Sequence, residues 1–91
     1  MEEIMKELND FKKYVGNFEF DLIMVSINSI VLVNQFKREI IQWNNYIIIQ
    51  DIINHLITSK DSLNEVFNCN NIIISTNDYI KSVTSDCKQF V

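Results

Sequence analysis

FEFDLIMVSINSIVLV, residues 18 to 33, decides the fold of this chain because it carries the clearest strand pattern. Apolar and polar residues alternate from Phe18 to Leu22, and apolar, partly β-branched runs follow on both sides of Asn28-Ser29. Such runs are typical of β-strands, and asparagine tolerates the positive φ of a tight turn. The stretch therefore predicts a β-hairpin with Asn28-Ser29 as its two-residue turn.

A second hairpin is predicted from residues 40–43 and 46–49, which flank the pair Asn44-Asn45. In this arrangement Trp43 lies opposite Tyr46 on the neighbouring strand. If the two hairpins share their middle strand, residues 18 to 49 form a three-stranded antiparallel meander.

A helical interpretation of the same region is the alternative. Apolar residues there also occur at spacings of four, three and four, namely Phe36, Ile40, Trp43 and Ile47. A short apolar run such as residues 47–49 fits a buried strand and a buried helix equally well. An all-α helical bundle is therefore the alternative fold.

The residues before the hairpin carry a helical pattern. Between residues 2 and 15, apolar side chains recur at spacings of four, three and four and share one side of a helix: Ile4, Leu8, Phe11 and Val15. Gly16 follows, and glycine readily takes the left-handed conformation that ends many helices. We predict a helix over residues 2–15 that ends at Gly16.

Helical spacing returns after residue 50. Asp51 is the predicted N-cap of a helix, and Ser59 or Asp61 the cap of a further helical turn, so we expect one broken helix or two short ones. We expect an asparagine-rich loop over residues 68–71 and a short strand or extended stretch over residues 72–74. Thr76 or Asn77 is predicted to cap a last helix, whose inward side chains are Ile80, Val83 and Cys87.

The predicted fold class is therefore α+β, within a single domain that spans residues 1–91. Its order is an N-terminal helix, a three-stranded antiparallel meander, and then two or three helices. The length fits one domain, and an apolar content of 47% supplies enough core for it.

Composition excludes several classes of function. Isoleucine and asparagine fill 28 of the 91 positions, which is typical of AT-rich coding sequence and suggests a viral or phage origin. Gly16 is the only glycine, so glycine-rich phosphate loops and dinucleotide fingerprints are excluded. We expect no cofactor.

Charge argues against direct nucleic-acid binding. The net charge is −4, and the only adjacent basic pairs are Lys12-Lys13 and Lys37-Arg38, too few for a phosphate-binding surface. Residues 1 to 21 instead carry an excess of acids, which suits a basic protein partner or a simple solvated face. These acids are Glu2, Glu3, Glu7, Asp10, Glu19 and Asp21.

The sequence predicts a cytoplasmic protein with no membrane association. No secretory leader is visible, and Cys69 and Cys87 are expected to be reduced thiols. The most apolar run, residues 22–33, is far shorter than the ~20 residues that span a bilayer.

The sequence carries no characteristic pattern of catalytic or metal-binding residues. His55 is the only histidine, and its pairing with Cys69 as base and nucleophile has no characteristic spacing. A zinc site from His55, Cys69, Asp86 and Cys87 lacks the close-paired ligand pattern of such sites. We expect no enzyme activity and no metal.

The remaining candidates are interaction residues. They are the aromatic side chains Phe18, Phe20, Trp43 and Tyr46 and the acidic side chains Glu2, Glu3, Glu7 and Asp10. Aromatic residues dominate interface energies when exposed, although in a small domain they also fill the core. The expected function is a non-enzymatic protein-binding domain, a small acidic viral or phage accessory or inhibitor protein that binds a larger host protein. The alternative is a structural or homo-oligomerising subunit of a larger assembly.

Overall fold

A computed structural model describes residues 2–75 and 87–89 of the chain. These residues form an α+β fold with an N-terminal helix, a three-stranded antiparallel meander and two further helices, so the predicted fold class is confirmed and the all-α alternative is wrong. The elements in chain order are α1 (Glu2–Val15), β1 (Leu22–Val25), β2 (Ile30–Asn34), β3 (Glu39–Trp43), α2 (Tyr46–Asn54), α3 (Leu56–Phe67), β4 (Ile72–Ile74) and β5 (Lys88–Gln89).

The first hairpin is present, with its turn one residue earlier than predicted. Val25 pairs with Ile30, and the Ser26 N–H donates to the Ser29 carbonyl at 2.9 Å. The Ser26 hydroxyl accepts hydrogen bonds from the N–H groups of Asn28 and Ser29, each at 3.2 Å. This serine side chain closes the turn locally, as serine hydroxyls commonly do.

The prediction of a second hairpin from residues 40–43 and 46–49 is wrong. β3 pairs with β2 through the turn at residues 35–38, so residues 30 to 43 are two strands of the meander. Tyr46 begins α2, because the Asn45 side chain accepts a hydrogen bond from the Ile48 N–H at 3.2 Å and caps the helix. Trp43 and Tyr46 therefore do not pair across strands.

Two short parallel strands extend the meander into a five-stranded sheet of order β4-β1-β2-β3-β5. β4 lies parallel to β1, with Ile23 opposite Ile72. β5 lies parallel to β3, with Glu39 opposite Lys88. The predicted strand at residues 72–74 is thus confirmed.

Apolar side chains cover both faces of the central strands. The face formed by Ile23, Val25, Ile30, Leu32 and Ile41 packs with the helices into the main core. The opposite face forms a second buried cluster of Leu22, Met24, Val31, Val33 and Ile40. Strands buried on both faces read as continuous apolar runs, which explains why strict alternation stops at Leu22.

The α1 helix buries the predicted apolar stripe, but several predicted N-cap residues do not cap a helix. The α1 stripe is buried, and Gly16 takes a φ of 61°. Two helices are present after the meander, but the first begins at Tyr46 and the break falls at His55, before the predicted start of the second at Ser59 or Asp61. Asp51, Ser59 and Asp61 lie inside α2 or α3, so these three cap predictions are wrong. The predicted last helix falls on residues 76–86, outside the described residues, and Cys87 itself directly precedes β5.

Candidate functional site

A concave site lies where α1 meets the end of β3. Its cavity has a volume of about 520 Å³, within the range of about 300 to 1,000 Å³ that is typical of ligand sites. We call this site the α1–β3 groove. The described residues that line it are Glu7, Asp10, Phe11, Tyr14, Gln42, Trp43 and Asn44.

Helical spacing places the α1 part of the groove. Glu7, Asp10 and Tyr14 are separated by three and four residues, so they share one side of the helix. Phe11 lies beside them on the buried stripe, where its ring meets Phe67 edge-on at 5.9 Å. The groove therefore runs along the border between the apolar and the polar side of α1.

Three nearly parallel aromatic rings line the groove. The Phe11 and Trp43 ring centroids lie 4.4 Å apart with an interplanar angle of 17°. The Phe11 and Tyr14 centroids lie 6.4 Å apart with an angle of 19°. Trp43 is half-buried, whereas Tyr14 is 70% exposed, so the groove offers an aromatic surface that solvent still reaches.

A smaller cavity of about 150 Å³ continues the groove toward α2. Glu7 lines both cavities, and in the smaller one it faces Ile47, Ile48 and the α2 residue Asp51. The Asn45 cap fixes the start of α2, and so positions this second wall. Both cavities are thus lined by acidic, apolar and neutral polar side chains.

The carboxylates of the groove are not neutralised. Neither Glu7 nor Asp10 forms an ion pair with another described residue, and no described lysine or arginine lines either cavity. With 3.6 residues per turn, Lys6, Lys12 and Lys13 lie about 100° or more around α1 from Glu7. Lys6 and Lys13 lie closer to Asp10, about 40° and 60° away, but neither lysine lines the cavity. The charged side chains that line the two cavities within the described residues are accordingly all carboxylates.

Three of the predicted interface residues, Glu7, Asp10 and Trp43, come together in the groove. Tyr46 is 62% exposed on α2, outside the groove lining. Glu2 and Glu3 lie in the first turn of α1, and their side chains fall outside the described part of the structure.

The other two predicted aromatic residues pack into the core. Phe18 is buried, Phe20 is half-buried, and their rings stack at 6.3 Å. They precede β1, so the predicted strand from Phe18 does not form and Phe18 is no surface contact. Sequence reasoning missed Phe11, Tyr14, Gln42 and Asn44 as groove residues.

The structure does not bring His55 and the cysteines together. His55 and Cys69 lie beyond opposite ends of the twelve-residue helix α3, which is roughly 18 Å long. Cys69 packs against the main core and Cys87 against the second cluster, on the other face of the sheet. Within residues 2–75 and 87–89, no three His, Cys, Asp or Glu side chains are grouped to hold a metal ion.

None of the described helices combines the length and the apolar character needed to cross a membrane. Comparisons with models of known protein families, with curated protein sequences and with solved structures find no match to this chain. Of the two cavities described above, the α1–β3 groove is the larger.

Proposed function

We propose that this chain is a non-enzymatic protein-binding domain that holds a segment of a larger protein in the α1–β3 groove. The observation that carries the proposal is a concave aromatic surface whose bordering carboxylates, Glu7 and Asp10, have no ion-pair partner among the described residues. Aromatic residues seated in pockets supply much of the binding energy in protein interfaces. Unpaired charges at the border favour a partner of opposite charge.

The proposal includes a biological setting. The isoleucine- and asparagine-rich composition and the small acidic chain fit a viral or phage accessory protein that inhibits or redirects a host protein. Cys69 and Cys87 are both free thiols, which fits the reducing cytoplasm of a host cell. In this setting the domain acts by covering a basic segment of its partner.

A random peptide library displayed on phage tests the binding function. We expect wild-type protein to enrich peptides whose binding falls at least about tenfold in Tyr14→Ser, because the exposed ring is a contact surface of the groove. Phe36→Ser is the matched control, since Phe36 is 93% exposed in the β2–β3 turn and lies outside the groove. If no peptide is enriched, or if both variants bind enriched peptides like wild type, the proposed function is wrong.

Self-association is a second candidate function, favoured by a different surface. The N-terminal end of α3 exposes the apolar side chains of Leu56 and Ile57, which are 49% and 83% exposed and line neither cavity. We propose that, in an assembly, these side chains are covered by a second copy of the chain. Removing such side chains from water is favourable, so a homodimer is the simplest outcome.

Sedimentation equilibrium tests this second candidate at micromolar concentration. We expect a dimer for wild type and a monomer for Ile57→Lys, because a lysine buried in an apolar interface is costly. Phe36→Lys makes a like change at an exposed apolar side chain in the β2–β3 turn, away from α3, and should leave the dimer intact. A wild-type monomer at these concentrations would rule self-association out.

A further inference from the structure

We propose that the α1–β3 groove recognises an arginine side chain of the partner segment. This inference rests on the proposed function of the groove as a protein-binding site. It adds the chemistry of the ligand, namely a planar cation placed against an aromatic ring and between two carboxylates.

The carboxylates define the sign of the ligand. Glu7 and Asp10 border the same cavity one helical turn apart, and neither is paired with a described basic residue. Carboxylates are acceptors only, so a bound group must supply N–H or O–H donors. A cationic donor also relieves the repulsion between two like charges that face one cavity.

The aromatic surface selects between the two cationic side chains. Tyr14 and Trp43 line the cavity, and both rings are nearly parallel to the Phe11 ring. A guanidinium group is planar, stacks on aromatic faces and presents a fork of donors to a carboxylate. A lysine ammonium is a compact, strongly hydrated charge and gains less from this surface. Arginine therefore fits both parts of the groove.

The direct test is a titration followed by NMR. The probes are three peptides, acetyl-Ala-Arg-Ala-amide and its counterparts with lysine or citrulline, the uncharged analogue of arginine, at the central position. Trp43 is the only tryptophan, so its indole N–H gives one resolved signal that lies at the groove. We expect saturable shifts of this signal with the arginine peptide, binding at least about threefold weaker with lysine, and at least about tenfold weaker with citrulline.

Variants locate the binding to the groove. Glu7→Gln and Asp10→Asn should each weaken arginine binding at least about threefold, and Glu65→Gln on α3 should leave it unchanged. If the citrulline and arginine peptides bind equally well, the groove does not require a positive charge and the proposal is wrong. If the lysine and arginine peptides bind equally well, the groove does not select a guanidinium group and the proposal is also wrong. No shift of the Trp43 signal with any peptide would also overturn the proposal. If displayed peptides bind the groove but lack arginine, the further inference fails and the proposed function survives.

Discussion

Leu32→Ala is expected to lower the free energy of unfolding by about 3 kcal/mol. Leu32 lies at the centre of β2, is fully buried, and packs in the core between the sheet and the helices. Truncation removes buried apolar surface and leaves a cavity that two neighbouring strands cannot fill by collapsing. Urea unfolding followed by circular dichroism measures the loss, with Trp43 fluorescence as a second probe.

Two matched pairs keep this expectation testable if Leu32→Ala fails to fold. Leu56→Ala makes the same change at a side chain that is 49% exposed, and it should cost less than about 1 kcal/mol. Ile30→Val is a milder core change and should cost about 1 kcal/mol, whereas Ile57→Val on the surface should cost almost nothing. Equal losses within either pair would contradict the described core.

Charge reversal in the groove should have the largest effect on binding. The double variant Glu7→Lys with Asp10→Lys places two cations where the bound arginine needs carboxylates. We expect at least about a 30-fold loss of affinity, or about 2 kcal/mol, for an arginine-containing peptide taken from the display selection. Asp10 is exposed and Glu7 half-buried, and Asp10→Lys places like charges four residues after Lys6 and three residues before Lys13, so the free energy of unfolding should fall by about 1 to 2 kcal/mol.

The control variant makes the same change in net charge on α3, outside the groove. Asp61→Lys with Glu65→Lys reverses two exposed α3 carboxylates and should weaken the same peptide by less than about threefold, through long-range attraction alone. Measurements in 0.15 M salt keep that long-range part small. Equal losses in both double variants would assign the effect to net charge and contradict binding in the groove.

Helices and strands are easiest to predict where the spacing of apolar residues fits only one of the two. In α1 the stripe from Ile4 to Val15 fits a helix alone, and Gly16 marks its end. The run Ile47–Ile49 fits a strand and a helix equally, so the choice depends on the preceding residues. The Asn45 side chain accepts a hydrogen bond from the Ile48 N–H and so favours the helix. Composition alone does not distinguish an asparagine that caps a helix from one that lies in a turn.

Pairing between distant strands is harder to foresee. Residues 72–74 have an evident strand character, but their parallel partner β1 lies about 50 residues earlier. The Ile23 N–H donates to the Asn71 carbonyl at 2.9 Å, and the Asn71 side chain donates to the Asp21 carbonyl at 3.2 Å. These contacts join residues that are separated in sequence by α2 and α3, so no local pattern encodes them.

Asparagine takes several positions that glycine often occupies. Asn68 has a φ of 52° and ends α3 in the left-handed conformation. The Asn34 side chain accepts from the Lys37 N–H at 2.9 Å, and so supports the turn between β2 and β3. Asparagine side chains form such local bonds readily, which compensates for a chain with one glycine and no proline.

The α1 wall of the groove can be predicted from the sequence, whereas the β3 wall cannot. Glu7, Asp10 and Tyr14 form a helical stripe beside the apolar one, and this spacing is a signal that identifies the α1 wall. Gln42 and Asn44 carry no such signal. They reach the groove because β3 ends beside α1, where the stacked rings of Phe11 and Trp43 join the helix to the sheet.

Intermolecular nuclear Overhauser effects test the arginine-binding groove most directly. The ligand is an arginine-containing peptide from the display selection, with its arginine labelled with ¹³C and ¹⁵N. We predict contacts from the arginine side-chain protons to the rings of Tyr14 and Trp43. Arginine contacts that reach only surfaces outside the groove, such as Phe36 or Ile57, would contradict the assignment of the groove as the binding site.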